Sequence, residues 1–506
     1  MLTFAELLAP ETTTAIADSL RARLLEAGLP TGSWAGAPIG MENLRVEAVA
    51  VAIQAFCAKR VAAIAKGGTL ATADDVDGKW LSYLGQEVYR MTLRPASKTR
   101  KWIALYSTAG AAQPAYDFDP GDLIVRSPAT GRRYVNVNVE SAHFDGTKVL
   151  PAGASNGSTA LVLPFEAEAA GAAYADPAGT ITEMVTARAG VQCSNIRPFE
   201  FEPAILLGSS GGTISASFTS PATAPSFASV VVRIDTAGDL GGGAWSWIIP
   251  GGSWTPGGPL EASTVIPGGA TISMANGQAS PSFRKGDLFV LMVGSDVALQ
   301  GADVEDGPVF AAMCAKRHQQ ITRVMLGGAI ELLARAASPE VARVFVDADP
   351  FTSGLVIVTA ASSVGPASPA ALRAIQAFIA PRLRGYQGVP AATATPSPAE
   401  RVIAQSARPL AIAAAGTAFV PAAQLAAAKV AASDAWLSYL GRVALGNGDQ
   451  AVEYARLIQI VTDAGADDVD DGALNGGTDD IAIPEGMVPV LAAGDSLATS
   501  LTWVPT

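Results

Sequence analysis

Two segments carry the glycine–serine spacing of a nucleophile elbow, Gly153-Ala-Ser155-Asn-Gly157 and Gly208-Ser-Ser210-Gly-Gly212. An elbow lifts its serine on a sharp strand-to-helix turn and needs an acid and a histidine further along the chain. Here a strand pattern, not a helix, follows each serine: Leu161–Phe165 after the first and Thr213–Phe218 after the second. Of the 2 histidines, His143 precedes both serines and only His318 lies downstream. With 51 glycines in the chain, chance matches are expected, and neither segment is expected to be catalytic. The run Asp467-Asp468-Val469-Asp470-Asp471-Gly472 gathers carboxylates as a calcium loop does. It lacks the alternation and the closing glutamate of an EF-hand, so it reads as a solvated acidic loop. The 3 cysteines, Cys57, Cys193 and Cys314, form no CxxC pair, which excludes zinc and dithiol motifs on spacing. They read as small buried apolar residues. Trp245 and Trp247, two apart on a strand, share one face, with Trp254 close by. Such a pair can stack on sugar rings or fill a core. No cofactor, no metal and no enzymatic activity are expected.

The chain that must position these residues has 506 of them, 49% hydrophobic and 16% charged, with a net charge of −12. That length spans several domains, and the charged share falls well below the usual ~25%. The acidic balance excludes a nucleic-acid footprint and disfavours an anionic membrane surface. The opening Met-Leu-Thr-Phe-Ala-Glu lacks the basic and apolar regions of a signal peptide. The uncharged run 409–428 is mostly alanine and holds Pro409, Gly416 and Pro421. It reads as a buried strand over Leu410–Ala414, a turn and a helix starting at Pro421, not as a membrane span. A soluble chain made in a cytoplasm is expected.

Hydrophobic periodicity predicts helices through the first hundred residues. Thr3 and Glu6 have capping-box spacing, and Ile16, Leu20 and Leu24 then recur on one face. A second helix spans 42–66 and includes Phe56; a third carries Trp80, Leu81, Leu84 and Val88. Their faces are broad enough either to pack a core or to meet a partner, with Leu20, Leu24, Phe56 and Leu84 as the partner-facing candidates. From Trp102 the period becomes two, with strands at Trp102–Tyr106, Leu123–Arg126, Tyr134–Val137 and Leu161–Phe165, then a helix over Thr180–Ala189. Residues 201–300 turn rich in Gly, Ser, Thr and Pro. Five strand patterns there, Ile214–Phe218, Ser229–Ile234, Ala244–Ile249, Thr271–Met274 and Leu288–Val293, suggest an inserted β-sandwich. Beyond 301 come a helix over Pro308–Ala337, strands at Val341–Val346 and Leu355–Thr359, and a helix at Ala370–Leu383. A linker follows over Pro390–Pro398, then strands near Arg401–Ser406 and Leu457–Val461, and short strands at Ile481 and Val488. Trp80-Leu-Ser-Tyr-Leu-Gly85 recurs as Trp436-Leu-Ser-Tyr-Leu-Gly441, without a flanking repeat.

These readings assemble into a multidomain α+β chain. It has an N-terminal helical arm (1–105), a β-rich domain (106–200), an inserted β-sandwich (201–300), an α/β domain (301–395) and a C-terminal α/β domain (396–506).

Several motifs carry a family resemblance. Asp75-Val-Asp-Gly-Lys-Trp80-Leu81-Ser-Tyr-Leu-Gly85, with the exit Arg94-Pro95-Ala96, is one. Gly171-Ala-Ala-Tyr-Ala-Asp-Pro-Ala-Gly179-Thr180-Ile181 is another, and Gly301-Ala-Asp303-Val-Glu305-Asp306 followed by Lys316-Arg317 is the third. Together they resemble the baseplate J-like family of contractile phage tails and related injection systems. Tyr174 and Ala175 stand where the family's middle motif has Gly and Asn. The last two motifs lie close together in many members, so the hundred-residue gap here supports an insertion between two parts of a J-like core. The resemblance implies a structural baseplate wedge subunit, located in the virion tail and assembled in the host cytoplasm. It implies pairing with a second copy within a wedge, and contacts with other wedge proteins, the hub and sheath-initiating proteins. It also implies a relay of the contraction signal by re-docking of domains. The competing readings are a tail-associated carbohydrate-binding protein acting through the Trp-bearing insert, and a secreted adhesin, which the missing signal and helical N-terminus disfavour.

Overall fold

The computed structural model describes residues 91–108, 114–137, 148–155, 159–196, 198–220, 225–307, 309–314, 327–348, 355–386, 401–445, 450–492 and 496–506, with isolated positions before 91. The arm residues Leu20, Leu24, Phe56, Trp80, Leu81 and Leu84, both histidines, Cys57 and the 390–398 linker lie outside them. The chain divides into two units, 1–93 with 305–315, and 94–304 with 316–506.

In the first unit, Thr14, Ala17, Asp18, Ala22 and Val51 are helical, as is the segment 309–314. Phe310, Ala311 and Cys314 are buried there, packed by Tyr89, Met91 and Leu93.

The second unit is β-rich, with several separate sheets and a few helices. Its first sheet runs in the order Val297–Leu299, Arg100–Ser107, Leu161–Ala167, Arg133–Asn136, Ile124–Arg126, Glu183–Met184, and Val191–Ser194 also pairs with Arg100–Ser107. Ile103, Leu105, Tyr134, Phe165 and Cys193 fill its core. The chain leaves this sheet after Ser194 and returns to the same central strand at Val297.

Between those points lie two facing antiparallel sheets. One contains Ile205–Leu207, Leu288–Gly294, Ser229–Thr236, Ala244–Ile248 and Thr255–Pro259; the other contains Thr213–Phe218, Ala270–Ala275 and Ser263–Ile266. Alternation sends Val230, Val232, Ile234, Trp245, Trp247, Phe289 and Leu291 into the space between them, against Ile214, Ile272 and Met274. The opposite face of the larger sheet is buried too. Val231, Ile248, Leu288, Val290 and Met292 share a core with the helices Gly327–Ala337 and Pro369–Tyr386 and with the sheet Arg343–Ala348, Leu355–Ala361, Arg401–Ser406. The low charge of 201–300 has this cause: its main sheet is covered on both faces.

The last hundred residues pack the helices Leu425–Arg442 and Tyr454–Asp463 on the sheet Asp468–Leu474, Ala414–Val420, Thr502–Pro505. Among the described residues no helix is long and apolar enough to cross a membrane. The uncharged 409–428 run forms two strands, Arg408–Ile412 and Ala414–Val420, before the helix that begins at Leu425.

The turn expected after Ala414 is thus a second strand, and three further expectations fail. No helix spans Thr180–Ala189. Glu183–Met184 pairs instead with Val125 and Arg126, and Val185 N donates to Ile124 O at 2.8 Å, so the backbone donors that a helix would use serve the sheet. Leu457–Val461 is not a strand but part of the Tyr454–Asp463 helix, with Leu457 and Val461 buried one turn apart on one face. The acidic run is not a loop. Asp468–Leu474 is an edge strand whose Asp468 and Asp470 pair with Phe419 and Thr417. Its aspartates face water, where charge discourages further strand pairing.

Candidate functional site

The second serine segment is built round a buried carboxylate. Ser210 is buried; its hydroxyl donates to Asp287 Oδ2 at 2.7 Å and accepts from Arg284 N at 2.8 Å. The Ser209 and Ser210 amides donate to the same carboxylate oxygen at 2.8 and 2.7 Å. Gly208 (φ 159°) lies against that carboxylate so closely that a Cβ would stand 2.2 Å from it. Gly212 lies under the Phe283 ring in the same way. The glycines therefore let a loop close round Asp287 rather than expose a nucleophile. Ser155 Oγ lies 3.0 Å from Thr159 Oγ1, on the surface.

The tryptophan platform is a core feature. Trp245 and Trp247 are 1% and 8% exposed, which withdraws both faces from a sugar ring. Trp254 is half-buried, with the Arg233 guanidinium 4.2 Å from its ring centre. Cys193 and Cys314 are buried free thiols, pushed up by burial to about 12 and about 11. At those values neither is a nucleophile at neutral pH. Among the described residues no group of three or more His, Cys, Asp or Glu is placed to hold a metal ion.

Residues of the second and third motif stretches meet, beside the chain that follows the Arg94-Pro95-Ala96 exit. Ser97, three residues past Arg94 and directly after Pro95-Ala96, bridges Ala302: Ser97 N donates to Ala302 O at 2.8 Å and Ala302 N to Ser97 O at 3.2 Å. The same Ser97 carbonyl accepts from Gly171 N at 3.0 Å. Asp303 Oδ1 accepts from Ala172 N at 2.9 Å. Gly301 N donates to the buried Thr99 Oγ1 at 3.0 Å. Gly301 is required by space, and Gly171 by its backbone conformation. A Cβ on Gly171, at φ 132°, would stand 2.9 Å from Asp303 Oδ1; one on Gly301 would stand 2.6 Å from Thr99 Oγ1 and 2.9 Å from Gly171 O. Arg94 Nη1 donates to Val341 O at 2.5 Å. Gly179, at φ 80°, turns the chain beside Ile196, Thr180 Oγ1 donates to Pro177 O at 2.7 Å, and Ile181 is fully buried. Glu305 and Asp306 fall in the other unit, where Asp306 O accepts from Phe310 N at 2.9 Å as the 309–314 helix starts.

Beneath this junction lies a buried polar cluster that no sequence pattern announces. Lys101 Nζ is 2.8 Å from Asp296 Oδ2, both side chains buried. Asn195 Nδ2 donates to the same oxygen at 2.9 Å and to Pro177 O at 2.9 Å, while its Oδ1 accepts from Ile181 N at 3.0 Å. The chain's exit from the first sheet is thus tied directly to its return. Asp176, also buried, accepts from Tyr134 Oη at 2.6 Å and Thr130 Oγ1 at 2.8 Å. Burial and the Asp176 charge push the Tyr134 phenol up.

Glu340 fastens the junction to the helix Pro369–Tyr386. It is fully buried and accepts from Ser368 N, Ser368 Oγ and Gln300 N at 2.5, 2.6 and 3.3 Å. Burial pushes its carboxyl up to about 7 despite those donors. Raised above its unfolded value, the group favours the folded state fully at low pH, and that contribution is lost as pH climbs from about 4.5 to about 7. The whole change is roughly 3 kcal/mol. Glu340→Gln should therefore flatten the pH dependence of urea unfolding across that window. An unchanged slope would show that another group sets it.

No protein-family model matches the chain. No curated protein matches it. Among solved structures the chain is similar to a chain of the cryo-EM structure of the anti-feeding prophage (AFP) baseplate, 6-fold symmetrised, with 11% sequence identity and a TM-score of 0.25 over 96% of this chain and 91% of that chain.

Proposed function

We propose that this chain is a structural subunit of the baseplate of a contractile phage tail or related injection system, at the wedge position of a baseplate J-like protein. The observation that supports it is the junction. Two stretches that resemble J-like motifs, far apart in sequence, meet through Gly171, Gly301 and Asp303, and Ser97, just past the Arg94-Pro95-Ala96 exit, hydrogen-bonds to both. A shared motif set that folds into one joint is what a family core provides; unrelated matches would scatter. On this reading the role is mechanical, without covalent chemistry, and the chain works in the virion tail after assembly in the host cytoplasm. The helices predicted from the N-terminal sequence would bind a second copy of the chain and a different wedge protein through Leu20, Leu24, Phe56 and Leu84. The remaining unit would face the hub and sheath-initiating proteins.

Removal of 1–93 tests the arm. The shortened chain, co-expressed with the other tail proteins, is expected in the soluble fraction by size-exclusion chromatography and absent from purified particles. Its presence in complete baseplates would contradict the assigned role of the arm.

A further inference from the structure

A cavity of about 420 Å³ opens beside the junction, within the size range of ligand-binding clefts, ~300–1,000 Å³. All its lining residues belong to one unit, and the middle motif forms part of its rim through exposed Pro177 and Ala178. Its walls are mostly apolar, with Phe199, Phe227, Leu437 and Leu491 among them. Polar groups interrupt that surface: Asp176, whose two oxygens accept from Tyr134 and Thr130, then Ser295, Ser362 and Ser368, and one ion pair. The buried Lys101–Asp296 pair lines the cavity, with Gln300 alongside.

The pair is not saturated. An ammonium carries three donors and a carboxylate accepts at both oxygens. Among the described residues Lys101 Nζ has Asp296 Oδ2 as its partner, and both partners of the Asp296 carboxylate, Lys101 and Asn195, use that same oxygen. Asp296 Oδ1 and the other Lys101 donors are left to whatever fills the cavity. An anion there would meet the Asp296 charge, and a cation would meet Lys101. A neutral group that accepts and donates side by side satisfies both, and a peptide amide is such a group. The apolar walls supply a complementary lining for bulky apolar side chains flanking that amide.

We propose that this cavity receives an extended, uncharged apolar polypeptide segment of another protein subunit, its backbone amide bridging Lys101 and Asp296. The choice of a protein partner rests on the assembly role argued above, but the site can be tested on the isolated full-length chain. A failure here leaves that role untouched.

The probe is N-acetyl-leucyl-leucinamide, titrated into the full chain by isothermal calorimetry, with octanoate as the amphiphile control. The wild type should bind the capped dipeptide saturably and more tightly than octanoate. Ala178→Trp at the exposed rim should weaken binding on the order of tenfold or more by filling the mouth. Lys101→Met should do the same by removing the donor; the rim variant carries the test if Lys101→Met does not fold. No saturable heat, equal affinity in Ala178→Trp, or octanoate binding as tightly as the dipeptide would each overturn the proposal. The last of these would assign the cavity to an amphiphile.

Discussion

Arg343→Met should lower the unfolding free energy by about 3 kcal/mol or more, because three buried carbonyls lose their donor. The guanidinium is buried at the start of the strand Arg343–Ala348. Its Nε and Nη2 donate to Ser362 O at 3.0 and 2.6 Å; Nη1 donates to Leu440 O and Val443 O at 2.9 and 3.1 Å. Leu440 and Val443 end the helix Leu425–Arg442, where carbonyls have no partner within the helix and a cation is favoured. Burial pulls the group down to about 9, which leaves it charged at neutral pH. One side chain thus holds the C-terminal domain's helix against the neighbouring sheet. Gly441 seals the contact, since a Cβ there would stand 2.5 Å from Ser363 O. Methionine keeps the packing volume but leaves three carbonyls short of a donor, at ~1–3 kcal/mol each when buried. Arg343→Lys should recover less than half of the loss, because an ammonium cannot span both sets of carbonyls as the planar fork does. Urea unfolding measures both. A loss under about 1 kcal/mol for Arg343→Met would mean that water replaces the guanidinium without cost.

Gly301→Val is expected to cost about 2–4 kcal/mol and to disrupt the junction itself. A first side-chain carbon already lies inside contact distance of Thr99 Oγ1 and Gly171 O, and stands 2.7 Å from Thr99 N. Two of these neighbours are backbone and cannot swing away. Relief requires separating the 97–101 segment from 171 or from 301, which breaks the Ser97–Ala302 bridge and the Gly301–Thr99 hydrogen bond. Gly171→Ala should cost less, because the clash is with the Asp303 side chain, although φ 132° adds backbone strain. Thermal melts of the two variants should rank Gly301→Val below Gly171→Ala and both below wild type. The reverse order would show that backbone strain at 171, rather than crowding at 301, dominates the joint.

The β-rich portion was legible where short apolar or alternating runs lie between turn residues. The Arg401–Ser406 strand and the five strand patterns of 201–300 coincide with observed strands to within a residue or two, because short alternating or wholly apolar runs bounded by turn residues mark strands whether one face or both are buried. The sequence misled where local pattern and tertiary pairing disagree. Leu457–Val461 is rich in Leu, Ile and Val and reads as a strand, yet the spacing of Leu457 and Val461 serves a helix face. Asp468 to Asp471 read as a loop from charge, yet the backbone of this segment pairs with Ala414–Val420. At the junction the motif glycines and Asp303 stood out by resemblance, whereas Thr99, Lys101, Asn195, Asp296 and Glu340 did not. A buried ion pair joining positions 195 apart in sequence leaves no periodic trace. The repeated Trp436-Leu-Ser-Tyr-Leu-Gly441 now has a physical reading. Trp436 is fully buried, Tyr439 packs beside it with ring centres 5.3 Å apart, Leu440 offers its carbonyl to Arg343, and Gly441 admits the close approach of Ser363. The first copy lies outside the described residues.

Electron microscopy of particles made with this reading frame deleted, beside particles restored by the intact chain, tests the baseplate assignment most directly. The assignment predicts tubes and sheaths without a baseplate in the deletion, and baseplates that contain the chain once it is restored. Complete, contraction-competent baseplates in the absence of the chain would contradict it.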